Sequence, residues 1–297
     1  MNLRPVTRPT DRKRCIANRA TTKKFIKNEA FLPASRRGEK GFFYSLKNFH
    51  MAGQKTNLVH KIRAVKTKKE LANIIKAQRI SEQVLKYALS MLLTGTSEIE
   101  IARLIKKEFV KLKAPVLSFE PIVAFGKNTA DIHHEPGKTR LKLGDIIMFD
   151  FGTTVDHYCS DMTRSYFWGK PTKKQENIYK AVLGAQEKAI RKIEKRERRA
   201  WIIDRSARKF LTDKFGKNNF KHDLGHGVGT VIHEWPGLTP KSKDILPIGC
   251  VMTVEPGLYF KGFGGVRIED MVFLTKKGCR NLTKVPKGLE NSILIPK

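Results

Sequence analysis

Four acidic residues at or near the ends of apolar segments are the first sign of chemistry in this 297-residue sequence: Asp150, Asp161, Glu255 and Glu269. Asp150 follows the apolar run 146–149, and Glu255 follows the largely apolar run 251–254. Burying a lone carboxylate is expensive, so each of them needs a cation or strong hydrogen-bond donors. Ion pairs with Arg164 or Arg267 are one solution. Two divalent cations shared by all four carboxylates are the other.

The arrangement of these residues is repeated along the chain. Each half contains the pattern His-x-x-Pro-Gly, which begins at His133 in the first half and at His233 in the second. Each half then has a glycine, Gly144 or Gly249, six residues before its strand-ending carboxylate. The second carboxylate follows eleven residues later in the first half and fourteen later in the second. Four matches in one order indicate an internal duplication, which favours the two-cation site.

A histidine in a glycine-rich segment could complete such a site. His226 lies within the sequence Gly-His-Gly-Val-Gly at 225–229, where glycine allows close approach of the backbone. A lone histidine beside glycines is more often structural. Together with four carboxylates, however, it favours Mn, Co, Fe or Zn over Mg or Ca, because imidazole suits transition metals.

The segments that must position these residues follow in the order helices, strands, helices, strands. Apolar residues at three- and four-residue steps predict a helix from about 68 to Gly95. Capping boxes that start at Ser97 and Thr172 predict two more helices, the latter over about 174–195, and another covers 201–215. Strands are predicted over residues 121–125, 146–151, 158–168, 226–233, 250–260 and 265–274. This order predicts one α+β domain built from two similar halves.

From about residue 62 to residue 287 these motifs resemble the pita-bread metallopeptidases, the family of methionine aminopeptidase, aminopeptidase P and prolidase (Xaa-Pro dipeptidase). The resemblance implies the pita-bread (creatinase/aminopeptidase) fold, with a pseudo-twofold repeat around a dinuclear metal site. It implies two divalent metal ions per chain, Mn or Co first and Fe or Zn as alternatives. Five positions match the metal ligands of the family: Asp150, Asp161, His226, Glu255 and Glu269.

The wording of the motifs is similar to that of the proline-directed branch. The segments 160–164, 233–236 and 265–270 resemble prolidase and aminopeptidase P, whereas methionine aminopeptidases lack the Arg-x-Glu-Asp wording at 267–270. The resemblance implies a peptidase that removes N-terminal residues from peptides by cleaving Xaa-Pro bonds.

The resemblance also implies catalytic roles for residues around the metals. His133 or His233 would stabilise the oxyanion that forms when activated water attacks the scissile carbonyl. Glu255 would pass the proton of that water to the leaving nitrogen. We expect Arg267 to orient a metal ligand, either Glu269 or Asp150, although a simple ion pair is an equal alternative. His134 is expected to be a packing or solvent-exposed residue.

Other functions stay open at this point. Proline-directed relatives carry a substantial N-terminal domain. Here the matching segment is preceded by a segment of only about sixty residues, which is rich in Lys and Arg. Stand-alone catalytic domains are typical of methionine aminopeptidases, which keeps methionine removal as an alternative. A creatinase-like hydrolase needs no metal, and the intact ligand set argues against it.

The charge raises a further alternative. Lys and Arg number 59 against 28 Asp and Glu, a formal net charge of +31, which excludes an acidic disordered protein. A dense basic stretch within 188–221 could let a non-catalytic member of the fold bind nucleic acid or the ribosome. No nucleic-acid-reading motif is present and no ligand position is lost, so nucleic acid is a disfavoured partner. We expect an enzyme with peptide substrates, and a homodimer stays open.

The ends and the cysteines bound the remaining organisation. Residues 1–60 are predicted to be a basic extension: a disordered tail, an arm for an anionic partner, or a mis-assigned start with Met51 as the true one. Residues 61–297 are predicted to be the catalytic domain. The four cysteines form no C-x-x-C pair, and no apolar run is long enough to span a membrane. Without a secretory signal either, a cytoplasmic protein is expected.

Overall fold

Capping boxes begin three of the helices in the computed structural model, which describes residues 58–296. At Thr67, Ser97 and Thr172 the hydroxyl accepts a hydrogen bond from the backbone N–H three residues on. The Glu or Gln at that position accepts one from the N-cap backbone N–H in return, which satisfies two donors at each helix start. The helices are α1 (Leu58–Ala64), α2 (Lys68–Ser90), α3 (Glu98–Lys111), α4 (Lys173–Glu194) and α5 (Ala200–Phe215).

The predicted extension at 1–60, including Met51, lies outside the described residues except for 58–60. Within 58–296, no helix is both long enough and apolar enough to cross a membrane.

The strands form two main sheets, which are largely antiparallel. They are β1 (Ile122–Phe125), β2 (Ile146–Asp150), β3 (Thr154–Val155), β4 (Tyr158–Cys159), β5 (Thr163–Trp168), β6 (Gly225–Gly227), β7 (Glu234–Leu238), β8 (Val251–Val254), β9 (Gly257–Phe260), β10 (Gly264–Arg267), β11 (Asp270–Thr275), β12 (Gly278–Asn281) and β13 (Ile293–Leu294). One sheet has the order β1-β2-β5-β13, with β13 parallel to β5. The other has the order β12-β11-β8-β6-β7. Strands β9 and β10 pair as a separate ribbon, as do β3 and β4.

Each main sheet is covered by its own pair of helices. Helices α2 and α3 share a hydrophobic core with the first sheet, which includes Phe109, Phe149 and Phe151. Helices α4 and α5 share a second core with the other sheet, around Tyr179 and Val272. The predicted α+β class and the predicted division into two similar halves are therefore confirmed.

The predicted strands are broken at the carboxylates. The segment 158–168 divides into β4 and β5 on either side of Asp161, and the segment 265–274 divides into β10 and β11 at Ile268 and Glu269. The segment 250–260 divides into β8 and β9 at Glu255 and Pro256, because proline has no N–H to give to a ladder. These three long strands were wrong as predicted.

Backbone hydrogen bonds at two of these breaks run to other segments. The N–H of Glu269 donates to the carbonyl of Thr163 at 3.1 Å, which joins the two halves, and the N–H of Glu255 donates to Leu224 at 2.8 Å. The predicted strand 226–233 is also wrong, since β6 ends at Gly227 and His233 lies in the loop before β7. The broken strands place the acidic residues where the sheets meet rather than within a ladder.

Candidate metal centre

Five side chains from the two halves converge on one buried centre. Ligand atoms of Asp161, His226 and Glu269 all lie within 4.8 Å of one another. The Nε2 atom of His226 lies 3.5 Å from Oδ2 of Asp161 and 3.3 Å from Oε1 of Glu255. Asp150 is close enough for its charge to raise the pKa of Asp161 and Glu269. The structure therefore brings together the full set of predicted metal ligands.

Each of these residues is placed by the end of a strand or by a break between strands. Asp150 is the last residue of β2 and stands opposite Thr163 of β5. His226 is the middle residue of β6, where its N–H donates to Thr253 Oγ1 at 3.0 Å. The glycines beside it are required, because a Cβ at Gly225 would lie 2.1 Å from the carbonyl oxygen of Thr253.

The carboxylates repel one another. Burial is the largest cause that raises the pKa of Asp161 well above its ordinary value, and the charges of Glu269, Asp150 and Glu255 raise it further. The pKa of Glu269 is raised well above its ordinary value in the same way, by burial and then by Glu255 and Asp150. Burial also raises the pKa of Asp150, against the lowering effect of Arg267. The centre holds more negative charge than its protein partners neutralise.

Glu255 and His226 behave differently because they face each other. Burial would raise the pKa of Glu255, but the hydrogen bond and charge of His226 outweigh it and lower that pKa to about 2. Conversely, burial would lower the pKa of His226, while Glu255 raises it. Thr253 Oγ1 donates to Glu255 Oε1 at 2.9 Å and fixes that carboxylate.

The ion-pair alternative accounts for only one of the four carboxylates. Arg267 donates from Nη2 to Asp150 Oδ2 at 2.5 Å. Arg164 pairs instead with Asp270, whose carboxylate also receives Lys287, and so it neutralises none of the four.

Two carboxylate oxygens of the centre have no hydrogen-bond partner among the described residues. These are Asp150 Oδ1 and Glu269 Oε1, and both are buried. A buried carboxylate oxygen without a donor is costly, and a cation would satisfy it. Carboxylates with one imidazole are also the donor set of divalent transition metals. The residues present therefore fit a divalent metal.

Arg267 reaches both of the ligands named in its sequence-based prediction. Besides its pair with Asp150, its Nε donates to Thr163 Oγ1 at 3.0 Å, and Thr163 donates to Glu269 Oε2 at 2.7 Å. Its Nη1 donates to the hydroxyl of Tyr259 at 2.9 Å. It thus fixes one acidic residue directly and a second through Thr163.

Sequence reasoning missed three residues of this network: Thr163, His222 and Tyr259. Nδ1 of His222 contacts the Asp223 carbonyl at 2.8 Å, so its Nε2 accepts from the Tyr259 hydroxyl, also at 2.8 Å. Burial lowers the pKa of His222 to about 4, which keeps its ring neutral. His222 lies four residues before His226, and Tyr259 lies four after Glu255; proximity to those ligands was the available signal.

Of the two predicted substrate histidines, His233 contacts the centre directly, whereas His133 acts on it only through its charge effect on His233. The rings of His226 and His233 lie 4.2 Å apart between centroids, at an interplanar angle of 69°. The charge of His226 is the largest cause that lowers the pKa of His233 to about 3, followed by burial, with a smaller contribution from His133. His133 itself is exposed, on the loop after β1. A neutral His233 ring can donate a hydrogen bond without bringing a further charge.

The expectation for His134 is wrong. It is neither a packing residue nor a solvent-exposed one, since its Nε2 lies 2.9 Å from Oε2 of the fully buried Glu98. The charge-bearing partner lies 36 residues earlier in the chain, on α3. Nothing local in the sequence pointed to this pair.

Comparison with known proteins gives a consistent result. The family model described as metallopeptidase family M24 matches residues 72–276. An uncharacterized peptidase of Staphylococcus aureus (strain USA300) is 35% identical over 240 residues, which cover 81% of this chain and 68% of that protein. The Xaa-Pro dipeptidase of Pyrococcus furiosus is 36% identical over 233 residues, covering 78% and 67%.

A solved structure agrees with these sequence relatives. The X-Pro aminopeptidase from Thermotoga maritima superposes with a TM-score of 0.74 at 34% identity, covering 80% of this chain and 66% of that one. The chain thus spans about two thirds of the length of the relatives it matches.

Removal and re-addition of metal tests whether the clustered carboxylates of the centre bind divalent cations. Adding Mn²⁺ to chelator-treated protein at about a hundred times its Kd should raise the free energy of unfolding by about 2.7 kcal/mol for each ion bound. Asp161→Asn should leave the metal-free protein at least as stable as the wild type, because one repelling charge is gone, and should abolish most of the Mn²⁺ response. Thermal unfolding with and without Mn²⁺ measures both effects.

Glu82→Gln is the control, because Glu82 pairs with Arg79 away from the centre and should keep the full response. An Asp161→Asn protein with an undiminished Mn²⁺ response would contradict the assignment.

The pair between Glu98 and His134 predicts a dependence of stability on pH. Burial alone would raise the pKa of Glu98, but hydrogen bonds from His134, Asn128 and two backbone amides outweigh it and lower that pKa. A lowered folded-state pKa contributes stability above the unfolded value near 4.5, and this is lost as pH falls through the folded-state pKa. The difference in unfolding free energy between wild type and Glu98→Gln should shrink as the pH falls from about 5.5 to about 3. Urea titrations at intervals of about 0.5 pH unit measure this difference. A constant difference over that range would refute the linkage.

Proposed function

The chain belongs to metallopeptidase family M24, and we propose that it is a dinuclear metal-dependent peptidase that removes N-terminal residues from peptides by cleaving Xaa-Pro bonds. One observation carries the proposal: three buried carboxylates, one partly buried carboxylate and one histidine converge where, among residues 58–296, a single arginine pairs with an acid of the set. Relatives named Xaa-Pro dipeptidase and X-Pro aminopeptidase, at 34–36% identity, support the proline-directed branch.

The set that we propose to hold two ions consists of Asp150, Asp161, His226, Glu255 and Glu269. The unpartnered oxygens of Asp150 and Glu269 support this set, because a cation would satisfy both of them. We propose Mn or Co as the resident metals, with Fe or Zn as alternatives, since the set combines carboxylates with imidazole.

Divalent ions bound there would act as Lewis acids toward the substrate carbonyl and lower the pKa of a coordinated water. The chain supplies the remaining chemistry. The neutral ring of His233, or alternatively His133, would donate a hydrogen bond to the oxyanion that develops on the substrate carbonyl. Glu255, which is held by a hydrogen bond from Thr253, would accept a proton and pass it to the leaving nitrogen. Arg267 holds Asp150 in place during these steps.

The motif Arg-x-Glu-Asp at 267–270, which is similar to that of the proline-directed branch, has a structural role in this chain. Arg267 and Asp270 are both buried in ion pairs, one on either side of Glu269. Asp270 is fixed by Arg164, whose Nη1 also donates to the carbonyl of Glu269. The motif that resembles prolidase therefore holds Glu269, a proposed metal ligand, from both sides.

We propose peptides as substrates and the cytoplasm as the site of action. The described cysteines, Cys159, Cys250 and Cys279, are all free thiols, which suits a reducing compartment. A homodimer stays open. Binding of nucleic acid through the exposed basic residues of 188–221 is the alternative from another functional class, and the full ligand set argues for the enzyme.

Peptide hydrolysis tests the proposal. Protein stripped with chelator and reloaded with Mn²⁺ or Co²⁺ should cleave an Xaa-Pro dipeptide or an Xaa-Pro tripeptide, and the ratio of the two rates distinguishes dipeptidase from aminopeptidase. Met-Ala-Ser should be cleaved poorly. Efficient cleavage of Met-Ala-Ser with no cleavage of Xaa-Pro peptides would replace the proposal with methionine removal. No turnover on any peptide with metal bound would favour the basic binding module.

A further inference from the structure

In both halves of the chain, the residue after the site histidine is buried or partly buried and contacts an ionisable side chain from another segment. His134 follows His133, and Glu234 follows His233, at matching positions of the repeated His-x-x-Pro-Gly pattern. The side chain of His134 is 15% exposed and that of Glu234 is 7% exposed. Neither residue belongs to the proposed metal ligands or to the proposed substrate histidines.

In the first half the contact is made by Glu98, which is fully buried in the first turn of α3. Its Oε1 accepts from the N–H of Phe125 at 2.8 Å and from Nδ2 of Asn128 at 2.9 Å. Its Oε2 accepts from the N–H of Gly137 at 3.0 Å and contacts His134 Nε2 at 2.9 Å. One carboxylate therefore binds both ends of the loop that carries His133.

In the second half the contact is made by the segment at the end of α1. Lys66, whose side chain is 1% exposed, donates to Glu234 Oε1. Arg63 donates from Nη2 to Glu234 Oε2 at 3.0 Å and to Thr230 Oγ1 at 2.8 Å. A Cβ at Gly229 would lie 2.3 Å from Glu234 Oε1, so the loop leaves the carboxylate just enough room. Both ends of the loop that carries His233 are again held by one element.

We call these two contacts, Glu98 with His134 and Lys66 and Arg63 with Glu234, the anchors. They have the same layout, but the acid and its partner exchange places between the helix side and the loop side. In the first half the acid lies on the helix and its partner on the loop, whereas in the second half the acid lies on the loop. Buried ion pairs are often no more stabilising than apolar residues of the same volume, so stability alone does not account for the arrangement. Charge-assisted hydrogen bonds do fix direction, and a site must hold its groups to within about 0.5 Å.

We propose that His134 and Glu234 are positioning residues, which hold His133 and His233 at the distance from the metal centre that the reaction requires. The inference rests on the proposed function for its catalytic consequence. The segment at the end of α1 lies just before the family match, which begins at residue 72. In this proposal that segment helps to position His233.

Conservative variants separate positioning from folding. Glu98→Gln and Glu234→Gln turn an acceptor into a donor facing N–H groups. Arg63, with 36% of its side chain exposed, tolerates change more readily, so Arg63→Met and Arg63→Lys form a graded pair if Glu234→Gln does not fold. His134→Ala and His134→Gln form the corresponding pair in the first half. Glu82→Gln is the matched control, since Glu82 also joins an arginine to a backbone N–H of a distant segment.

The expected result is a loss in kcat without a loss of metal. Because a misplacement of about 1 Å can cost about a hundredfold, Glu98→Gln and Glu234→Gln should lower kcat on the Xaa-Pro substrate by about ten- to a hundredfold. Arg63→Met should lower it less, and Arg63→Lys should restore it. Metal content per chain should equal that of the wild type. Variants that lower the melting temperature but keep the wild-type kcat at 25 °C would overturn the inference.

A readout independent of turnover keeps the inference distinct from the proposed function. In ¹³C–¹H spectra of histidine-labelled, Zn²⁺-loaded protein, His133 and His233 are assigned by their His→Gln variants. Each ring should give one sharp resonance in the wild type, and Glu98→Gln or Glu234→Gln should broaden or split the neighbouring one. If the wild type cleaves no Xaa-Pro peptide but the resonances change, the proposed function has failed and the anchors stand. Unchanged resonances in both variants would refute the anchors.

Discussion

The constraint on which the structure depends is the confinement of four carboxylates to one buried centre. Arg267 pairs with Asp150, and His226 pairs with Glu255. The main charges that act on Asp161 and Glu269 are instead those of neighbouring carboxylates. Burial and like charges both raise the pKa of those two acids, so the metal-free centre is held together against an electrostatic cost. Divalent cations would remove that cost, and as Lewis acids they would also supply the chemistry proposed for this centre.

The rest of the fold can be understood as the means of keeping this centre in shape. Two sheets, each covered by two helices, meet where their strands break, and the breaks present the acidic residues. A hydrogen bond from the N–H of Glu269 to the carbonyl of Thr163 joins the halves at that point. Around it, Thr163, Thr253 and Arg267 orient the carboxylates, and the anchors at Glu98 and Glu234 hold the loops with the histidines.

Periodicity and spacing predicted helices α2 to α5 and the duplication, and the family resemblance added the set of five converging side chains, whereas helix α1 was missed. Capping boxes at Ser97 and Thr172 locate two helix starts to the residue, because the signal is local. The continuous strands were wrong because apolar alternation does not register that a backbone turns away from its ladder at Asp161 or Glu269. The anchor between Glu98 and His134 was missed since its partners lie far apart in sequence, and their pairing is a product of the tertiary fold.

The measurement that tests the central claim most directly is anomalous X-ray diffraction at the manganese edge from crystals grown with Mn²⁺. The account predicts two peaks per chain, both within coordination distance of the set formed by Asp150, Asp161, His226, Glu255 and Glu269. Data from an Asp161→Asn crystal grown in the same way should lose or weaken these peaks, since Asp161 is a proposed ligand with atoms close to those of His226 and Glu269. A single peak, or strong peaks only outside this centre, would contradict the claim that the buried carboxylates exist to hold two metal ions.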